Sequence, residues 1–385
     1  METYGRNSSD NRRNNRGRVL QMVATGRCKT RQELVSTMGL TKMSISNIVA
    51  EFQEKGILVE SGKNQAKRFG RRSVNLDISD EAPKVVGVLI VRDRVEAVLC
   101  DMKLKIFKRK AEKLKKPDEK ELINIVFSLV DEMLEFDSNV VGIGVSSLGP
   151  VNHETGVILK PPYFFGIKNL PVAKLLETRY SLPVRVHQDN QSGALEEYLY
   201  GNGRGHENLM LLGIERGVGC GVIKDGAVYV GNLNLSPEIG HVSVDYKGRR
   251  CVCGNRGCLE MYVNSEEMKF MLEKALGEEG TLEELYAMDE TEDVSNVLED
   301  MLERLSAGLS SMINLMNLDL LLLGYDGVLI PEKYINRLER RINERLFYSG
   351  IMRVIVKKPF YGKDAQLLGG ACNILAAVYN GDIFI

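Results

Sequence analysis

Four potential metal ligands within 18 residues constrain the fold of this chain more strongly than any other feature of its sequence. They are His241, Cys251, Cys253 and Cys258, and glycines interspersed among them permit tight turns. One histidine and three cysteines are the donors of a tetrahedral Cys3His zinc site, which leaves no open coordination position for catalysis. The spacing therefore predicts one structural zinc ion, in preference to four unrelated residues.

The rest of the composition indicates a protein of a reducing compartment. Four further cysteines are scattered through the 385 residues, which is unlike a secreted disulfide framework. The longest apolar run, residues 318–323, is far shorter than the roughly 18–20 residues of a membrane span. No apolar leader opens the chain, so we expect a cytoplasmic protein.

Charge is divided unevenly along the chain. Residues 1–80 contain 15 lysines and arginines against 8 acidic residues, whereas the other 305 residues contain 36 against 44. A basic segment on an acidic body indicates that only residues 1–80 meet a polyanion such as DNA. A solvated basic tail is the alternative, and charge alone does not separate the two.

Residues 30–55 predict two short helices joined by a tight turn. Thr30 caps the first helix, and Glu33 three residues later completes a capping box. Gly39 permits the turn, and Thr41 caps the second helix. This is the helix-turn-helix pattern, and the exposed start of its second helix would enter a major groove. The side chains expected to contact DNA there are Thr41, Lys42, Ser44, Ser46 and Asn47.

The segment that follows predicts a wing. Residues 57–60 and 73–76 read as two strands around a basic polar loop, and a further helix over residues 16–24 precedes the pair described above. Arg71 and Arg72 at the return of the loop are expected to contact DNA as well. We therefore predict a winged helix-turn-helix DNA-binding domain over residues 1–80, against the alternative of a small helical bundle for protein contacts.

Strands alternate with helices in the remainder of the chain, which predicts an α/β body with a mixed sheet. The predicted strands and helices cover residues 84–99 (a hairpin), 121–136 (helix), 140–146 and 183–187 (strands), 191–200 (helix), 209–230 (a glycine-rich hairpin), 295–316 (helix), 318–323 (strand) and 364–379 (helix).

Two segments of this body carry a resemblance to a known family. The run from Glu238 to Glu260 reads EIGH…CxCGxxGCxE, and residues 186–190 read VHQDN. Both resemble the ROK family of repressors and sugar kinases, and the winged helix makes the chain similar to the family's N-acetylglucosamine and xylose repressors. The resemblance implies a multidomain protein whose body is a two-lobed, actin-like (ribonuclease H-like) sugar-kinase fold. The implied lobes are residues 84–187, completed by residues 364–385, and residues 188–363 with the zinc motif.

The resemblance also implies a sugar site. Asp189 stands at the family's catalytic-base position, although we expect it to act here as a hydrogen-bond acceptor for a sugar hydroxyl. Glu238, His241 and Glu260 match residues that contact sugar hydroxyls in the family. His241 is also expected near or on the zinc.

Three elements depart from the family's kinases where ATP would bind. The family's Asp-x-Gly-Gly-Thr turn is replaced by Leu89–Asp93, and its second phosphate loop by Glu215–Gly219. The family's Gly-Gly-Gly segment is Gly324–Gly327 here, with a bulky Tyr325. Because phosphoryl transfer depends on holding and neutralising those phosphates, we expect no kinase activity.

The sequence thus favours a DNA-binding transcriptional regulator, most simply a repressor of carbohydrate metabolism. A sugar or sugar derivative in the catalytically inactive, kinase-like cleft would control it, and two half-sites on DNA would require a homodimer or tetramer. Two alternatives stay open: an ATP-dependent sugar kinase that also binds DNA, and a regulator controlled by a protein partner.

Overall fold

The computed structural model describes residues 8–63 and 74–385, and it divides into two compact units. Unit 1 comprises Met1–Leu148, Thr155–His187 and Gly370–Ile385, and unit 2 comprises Gly149–Glu154 and Gln188–Gly369. Among the helices of the described residues, none has both the length and the apolar character needed to cross a membrane.

The N-terminal part of unit 1 contains three helices and a two-stranded antiparallel sheet. Its elements are α1 (Ser8–Ala24), α2 (Arg31–Met38), α3 (Lys42–Glu54), β1 (Leu58–Lys63) and β2 (Val74–Ile78). The predicted start of the first helix at residue 16 was wrong, because α1 begins at Ser8. Residues 8–15 are polar and show no apolar periodicity, so the sequence carried no helix signal there.

Local capping interactions begin α2 and α3 where the sequence predicted. The Thr30 hydroxyl accepts a hydrogen bond from the Glu33 N–H at 3.2 Å, and Thr41 accepts one from the Ser44 N–H at 3.1 Å. The expected capping box at α2 is incomplete, since the Glu33 carboxylate accepts from the Lys29 N–H at 2.6 Å instead of from Thr30. Glu33 thus stabilises the residue before the cap.

The larger sheet of unit 1 has five strands in the order β5-β4-β3-β6-β9. β3 pairs antiparallel with β4 and parallel with β6, which confirms the predicted mixed sheet. The helices α4 and α5 complete this part. The bounds are β3 (Lys84–Ile90), β4 (Arg94–Cys100), β5 (Ile106–Lys113), α4 (Glu119–Phe136), β6 (Val140–Ser147), β8 (Val157–Ile158), α5 (Val172–Tyr180) and β9 (Val184–Gln188). The short strand β7 (Val151–Asn152) belongs to unit 2.

Unit 2 contains a second five-stranded mixed sheet, in the order β12-β11-β10-β13-β14. Its main core lies between this sheet and the helices α8 to α11. The bounds are α6 (Asp189–Leu199), β10 (Leu209–Ile214), β11 (Val218–Lys224), β12 (Ala227–Val228), α7 (Glu260–Val263), α8 (Ser265–Leu276), α9 (Leu282–Ala287), α10 (Glu292–Met316), β13 (Leu320–Tyr325), α11 (Glu332–Arg345) and β14 (Ile355–Lys357). The last helix, α12 (Ala365–Tyr379), begins in unit 2 and ends in unit 1.

Helix α1 packs on the end of the chain within unit 1. A Cβ atom at Gly17 would lie 2.2 Å from the carbonyl oxygen of Tyr379, so only glycine fits at this contact. Arg13 stacks on the Phe384 ring at 4.6 Å, and Lys55 donates to the Ile385 carbonyl oxygen at 2.8 Å. The residues after α12 are thereby held against the N-terminal helices.

Gly17→Ala should separate these surfaces, because the added methyl group overlaps backbone atoms that have no rotamer to change. We expect a loss of about 1–3 kcal/mol in the free energy of unfolding, measured by urea denaturation. Gly350→Ala is the matched control, since a Cβ there meets no atom within 4 Å. Equal stability of the two variants would contradict the close packing at Gly17.

Helix α6 carries a fully buried carboxyl group, that of Glu196, next to a second carboxyl group, that of Glu197. Burial raises the pKa of Glu196 well above the ordinary value, and the negative charge of Glu197 and a hydrogen bond with it add to the shift, whereas Arg204 opposes it. Glu196 is therefore neutral in the folded protein at a pH where it is ionised in the unfolded chain.

This difference predicts a pH-dependent stability. A group whose pKa is higher in the folded state stabilises fully below its unfolded pKa, and the stability is lost as the pH rises toward the folded pKa. Replacing Glu196 by Met should consequently raise the midpoint of thermal unfolding more at pH 8 than at pH 5. At high pH, the gain in the free energy of unfolding approaches about 1.4 kcal/mol for each unit by which the pKa of Glu196 in the folded protein exceeds that in the unfolded chain.

Glu283→Met, on the exposed surface of α9, is the control and should show no such trend. A Glu196→Met effect that is equal at both pH values would refute the buried neutral carboxyl.

Candidate functional site

Asp189 opens helix α6, which follows β9 without a connecting loop. Its side chain is buried, with 7% exposure. One carboxylate oxygen accepts a hydrogen bond from the Asn190 N–H at 2.7 Å, and the other accepts one from the Tyr325 hydroxyl at 2.6 Å. Hydrogen bonds to an ionised carboxylate are stronger than neutral ones, so both oxygens are well stabilised.

Glu238 and Glu260 lie near the carboxylate of Asp189. Glu238 precedes the short 3-10 helix Ile239–His241, and Glu260 begins α7 and accepts from the Val218 N–H at 3.0 Å. The Glu238 side chain reaches the surface, but protein atoms packed around its carboxyl raise its pKa to about 7, and the charges of Glu260 and Asp189 add to this. Glu238 and the two carboxylates that act on it form an acceptor-rich group suited to the hydroxyls of a polyol.

Two buried amide side chains flank Asp189 in the sequence. Gln188 and Asn190 are each 5% exposed, and the carbonyl oxygen of each amide has no hydrogen-bond partner among the described residues. Asn190 packs directly on the backbone of Gly213 and Gly219, in the hairpin of β10 and β11. A buried polar atom without a partner costs about 1–3 kcal/mol and indicates a place for water or a ligand.

The histidine and three cysteines of the sequence motif meet at one point of unit 2. The Nδ1 atom of His241 lies 3.6 Å from the Cys251 sulfur, and the sulfurs of Cys253 and Cys258 are also 3.6 Å apart. All four ligand atoms lie within 4.8 Å of one another. Metal–sulfur bonds of about 2.3 Å in a tetrahedron place two sulfurs about 3.8 Å apart, so the four residues fit a metal ion.

The loop that carries these ligands folds around Gly257. This residue has a φ of 68°, and a Cβ there would lie 1.7 Å from the Asp245 carbonyl oxygen. Both the conformation and the close approach therefore require glycine. The same loop leads directly into Glu260, so the metal-binding cluster and one of the three carboxylates share a short stretch of chain.

The three segments that the sequence predicts to depart from the family's ATP-binding elements have side chains engaged in other contacts. At the end of β3, Val91 is buried, and the Asp93 carboxylate pairs with Arg94 at 3.1 Å. In the turn between β10 and β11, Arg216 pairs with Glu266 at 3.2 Å. Tyr325 directs its hydroxyl to Asp189 rather than leaving an open glycine backbone.

The structure separates the residues predicted to contact DNA into two groups. Lys42, Ser46 and Asn47 are exposed on α3. Thr41 and Ser44 hydrogen-bond to each other at 2.9 Å while Thr41 caps the helix, so both hydroxyls already have a local role. Sequence reasoning did not include Met43, which is 74% exposed in the same turn. Arg71 and Arg72 lie outside the described residues.

The body of the chain matches a known family over most of its length. The pattern of the ROK family covers residues 85–376. The chain belongs to the ROK family.

Among relatives, this ROK protein is 24% identical over 380 residues to a putative xylose repressor of Caldicellulosiruptor sp. (strain Rt8B.4), covering 93% of this chain and 94% of that one. It is also 24% identical over 386 residues to the DNA-binding transcriptional repressor Mlc of Escherichia coli (strain K12), covering 96% and 95%.

Solved structures agree on the fold. A ROK family transcriptional regulator, described as a homologue of the E. coli Mlc protein, superposes with a TM-score of 0.82 at 24% identity and covers 97% of this chain and 98% of its own. A ROK family glucokinase from Streptomyces griseus, in complex with glucose and AMPPNP, reaches 0.66 at 20% identity and covers 75% and 98%. The body therefore has the two-sheet, sugar-kinase-like fold that the sequence predicted.

The metal-binding cluster generates a direct prediction. Protein purified without chelators should contain about one divalent metal ion per chain by elemental analysis, and Cys253→Ser should lose it. Since a ligand at 1,000 times its Kd stabilises a fold by about 4 kcal/mol, removing the metal should lower the thermal midpoint by several degrees.

Cys100→Ser is the control for this experiment. Cys100 is buried in unit 1, outside the cluster, so its replacement should cost stability but keep the metal. Full metal content in the Cys253→Ser protein would disprove the assignment of this ligand.

Proposed function

We propose that the chain is a sequence-specific DNA-binding transcriptional regulator, most simply a repressor of carbohydrate metabolism, whose DNA affinity changes when a sugar binds beside Asp189. The main support for this proposal is how much of the chain each kind of relative matches. The repressors match essentially the whole chain, including its N-terminal helices, whereas the glucokinase structure leaves a quarter of it unmatched. The part of the chain that the glucokinase leaves unmatched is about as long as the segment before residue 85, where the match to the ROK family begins.

A winged helix-turn-helix over residues 1–80 would supply the DNA contact. Helices α2 and α3 are joined by a turn at Gly39, whose φ of 66° suits glycine, and β1 and β2 form the hairpin expected of a wing. The exposed start of α3 offers Lys42, Ser46 and Asn47 to a major groove. The arginines Arg71 and Arg72 remain a prediction for the wing.

The carboxylates of Asp189, Glu238 and Glu260 would receive the sugar, with His241 at the edge of the group. Their support is electrostatic, because burial and the charges of Glu260 and Asp189 raise the pKa of Glu238, and hydroxyl donors relieve that repulsion. Zinc in the Cys3His cluster would be structural. It would fix the loop between His241 and Glu260 and so hold the two glutamates in place.

We infer that the protein is not an enzyme. A kinase needs Asp189 free to accept a proton and a backbone cradle for phosphates, and here Tyr325 and the altered turns take those places. Sugar kinase activity is the second candidate, supported by the retained Asp189. Control by a protein partner is the third, and the buried unpartnered amides beside Asp189 favour a small ligand over it.

A homodimer or tetramer is part of the proposal, since one domain of the size of residues 1–80 covers too little DNA for tight, specific binding. The proposed DNA-binding domain is residues 1–80. The two proposed lobes are residues 84–187 with 364–385, and residues 188–363.

The proposal is tested with a DNA fragment that the protein itself selects from random duplexes. Ser46→Ala together with Asn47→Ala should weaken binding to this fragment by about 1–3 kcal/mol per lost base contact, with little change for unrelated DNA. Gln32→Ala, on the exposed surface of α2, is the control. Unchanged affinity of the folded double variant would remove α3 from the interface.

The sugar-dependent part is measured on the same fragment. D-xylose, D-glucose or N-acetyl-D-glucosamine should alter DNA affinity in the unmodified protein, and Glu238→Gln should bind DNA equally well but respond less. ATP consumption that depends on any of these sugars would favour the kinase instead.

A further inference from the structure

Tyr325 has a backbone conformation that favours glycine. It is the last residue of β13, where it pairs in register with Ile214 of β10, and its φ and ψ are 52° and −127°. A non-glycine residue in such a conformation costs about 1–3 kcal/mol and persists only where surrounding contacts hold it. The side chain of Tyr325 must therefore make an interaction that offsets this cost.

The hydrogen bond from Tyr325 to Asp189 is one such interaction. The phenol oxygen lies 2.6 Å from a carboxylate oxygen of a residue 136 positions away in the sequence. Seen from the carboxylate, a phenol O–H and a sugar O–H are the same kind of donor: neutral, directional and attached to carbon. The phenol thus occupies the acceptor that a sugar hydroxyl would use.

Two other acceptors next to Asp189 are unsatisfied by contrast. The amide oxygens of Gln188 and Asn190 are more than nine-tenths buried and have no hydrogen-bond partner among the described residues. Unsatisfied buried acceptors and a tyrosine that occupies a neighbouring carboxylate oxygen therefore occur side by side. A purely structural tyrosine would not require the unsatisfied amides around it.

We propose that Tyr325 competes with the sugar for Asp189, so that effector binding exchanges the phenol hydroxyl for a sugar hydroxyl. This inference rests on the proposed sugar-responsive function, and it names Tyr325 as the residue that sets the affinity for the sugar. The exchange lowers apparent affinity, because part of the ligand's interaction energy is used to release the phenol. It also links ligand binding to the end of β13, since Tyr325 leaves its strained position when its hydrogen bond is lost.

Tyr325→Phe separates this role from the alternatives. Removal of the hydroxyl keeps the ring but ends the competition. In calorimetric titrations, at least one of D-xylose, D-glucose and N-acetyl-D-glucosamine should therefore bind to the variant roughly tenfold more tightly than to the unmodified protein. A tyrosine that contacts the sugar directly would give weaker binding in the variant. A tyrosine that only supports the fold would change stability but leave the Kd unaltered. Either result would overturn the proposal.

Tyr334→Phe is the matched control. Tyr334 is also in unit 2, is 1% exposed, and donates to the carbonyl oxygen of Asp289 at 3.2 Å, so the same chemical change removes one hydrogen bond outside the acidic group. Its sugar affinity should equal that of the unmodified protein. If neither the unmodified nor the Tyr325→Phe protein binds any of the three sugars, the sugar-responsive function itself fails and this inference fails with it.

A second measurement needs no sugar. Urea unfolding of Asp189→Ala, Tyr325→Phe and the double variant forms a double-mutant cycle for the hydrogen bond. The two changes should be non-additive, because each alone removes the same interaction. Additive losses would show that the two side chains do not interact in solution, whatever the affinity for sugars.

Discussion

The burial of helix α6 is the constraint on which the rest of unit 2 depends. Ten of its eleven residues are buried, including charged and amide side chains that are normally found at surfaces. Neighbouring backbone approaches the helix closely at glycines: a Cβ at Gly221 would lie 2.0 Å from the Asn190 carbonyl oxygen, and one at Gly369 would lie 2.3 Å from the backbone of Ser192. Such close packing fixes the position of the first turn, and with it the carboxylate of Asp189.

Burial of the polar groups of this helix lowers the stability of the fold. The carboxyl group of Glu196 is fully buried beside that of Glu197, and the amides of Gln188 and Asn190 each leave an acceptor unpaired. The pKa of Glu197 is also raised by burial, although it accepts hydrogen bonds from the N–H groups of Asn202 and Phe360. Stability is commonly lost in this way where a protein binds a ligand, because the groups that recognise the ligand are desolvated in advance.

Local signals made part of this architecture predictable. The starts of α2 and α3 follow from Thr30 and Thr41, whose hydroxyls reach N–H groups only three residues away. Some missed elements lack such signals: the polar first turns of α1, and the strand β5, whose exposed lysines and arginines give no apolar alternation. Others carried a signal and were still not predicted, such as α9, which begins with the complete capping box of Thr281 and Glu284. The capping box predicted at Glu33 formed only in part. The Glu33 carboxylate accepts from the N–H of Lys29, one residue before Thr30, and the sequence alone does not distinguish these two donors.

The sequence by itself determined the metal-binding cluster, because its four ligands fall within one short loop whose glycines permit few paths for the chain. It also determined the family, through motifs that are contiguous in the chain, and the periodicity of the main helices. Only the tertiary structure decided the partner of Asp189. The bulk of Tyr325 was visible in the sequence as an obstacle to a nucleotide, but its hydrogen bond spans 136 positions. That contact depends on the parallel pairing of β13 with β10 and on the burial of α6, and no local pattern encodes how distant segments pack against one another.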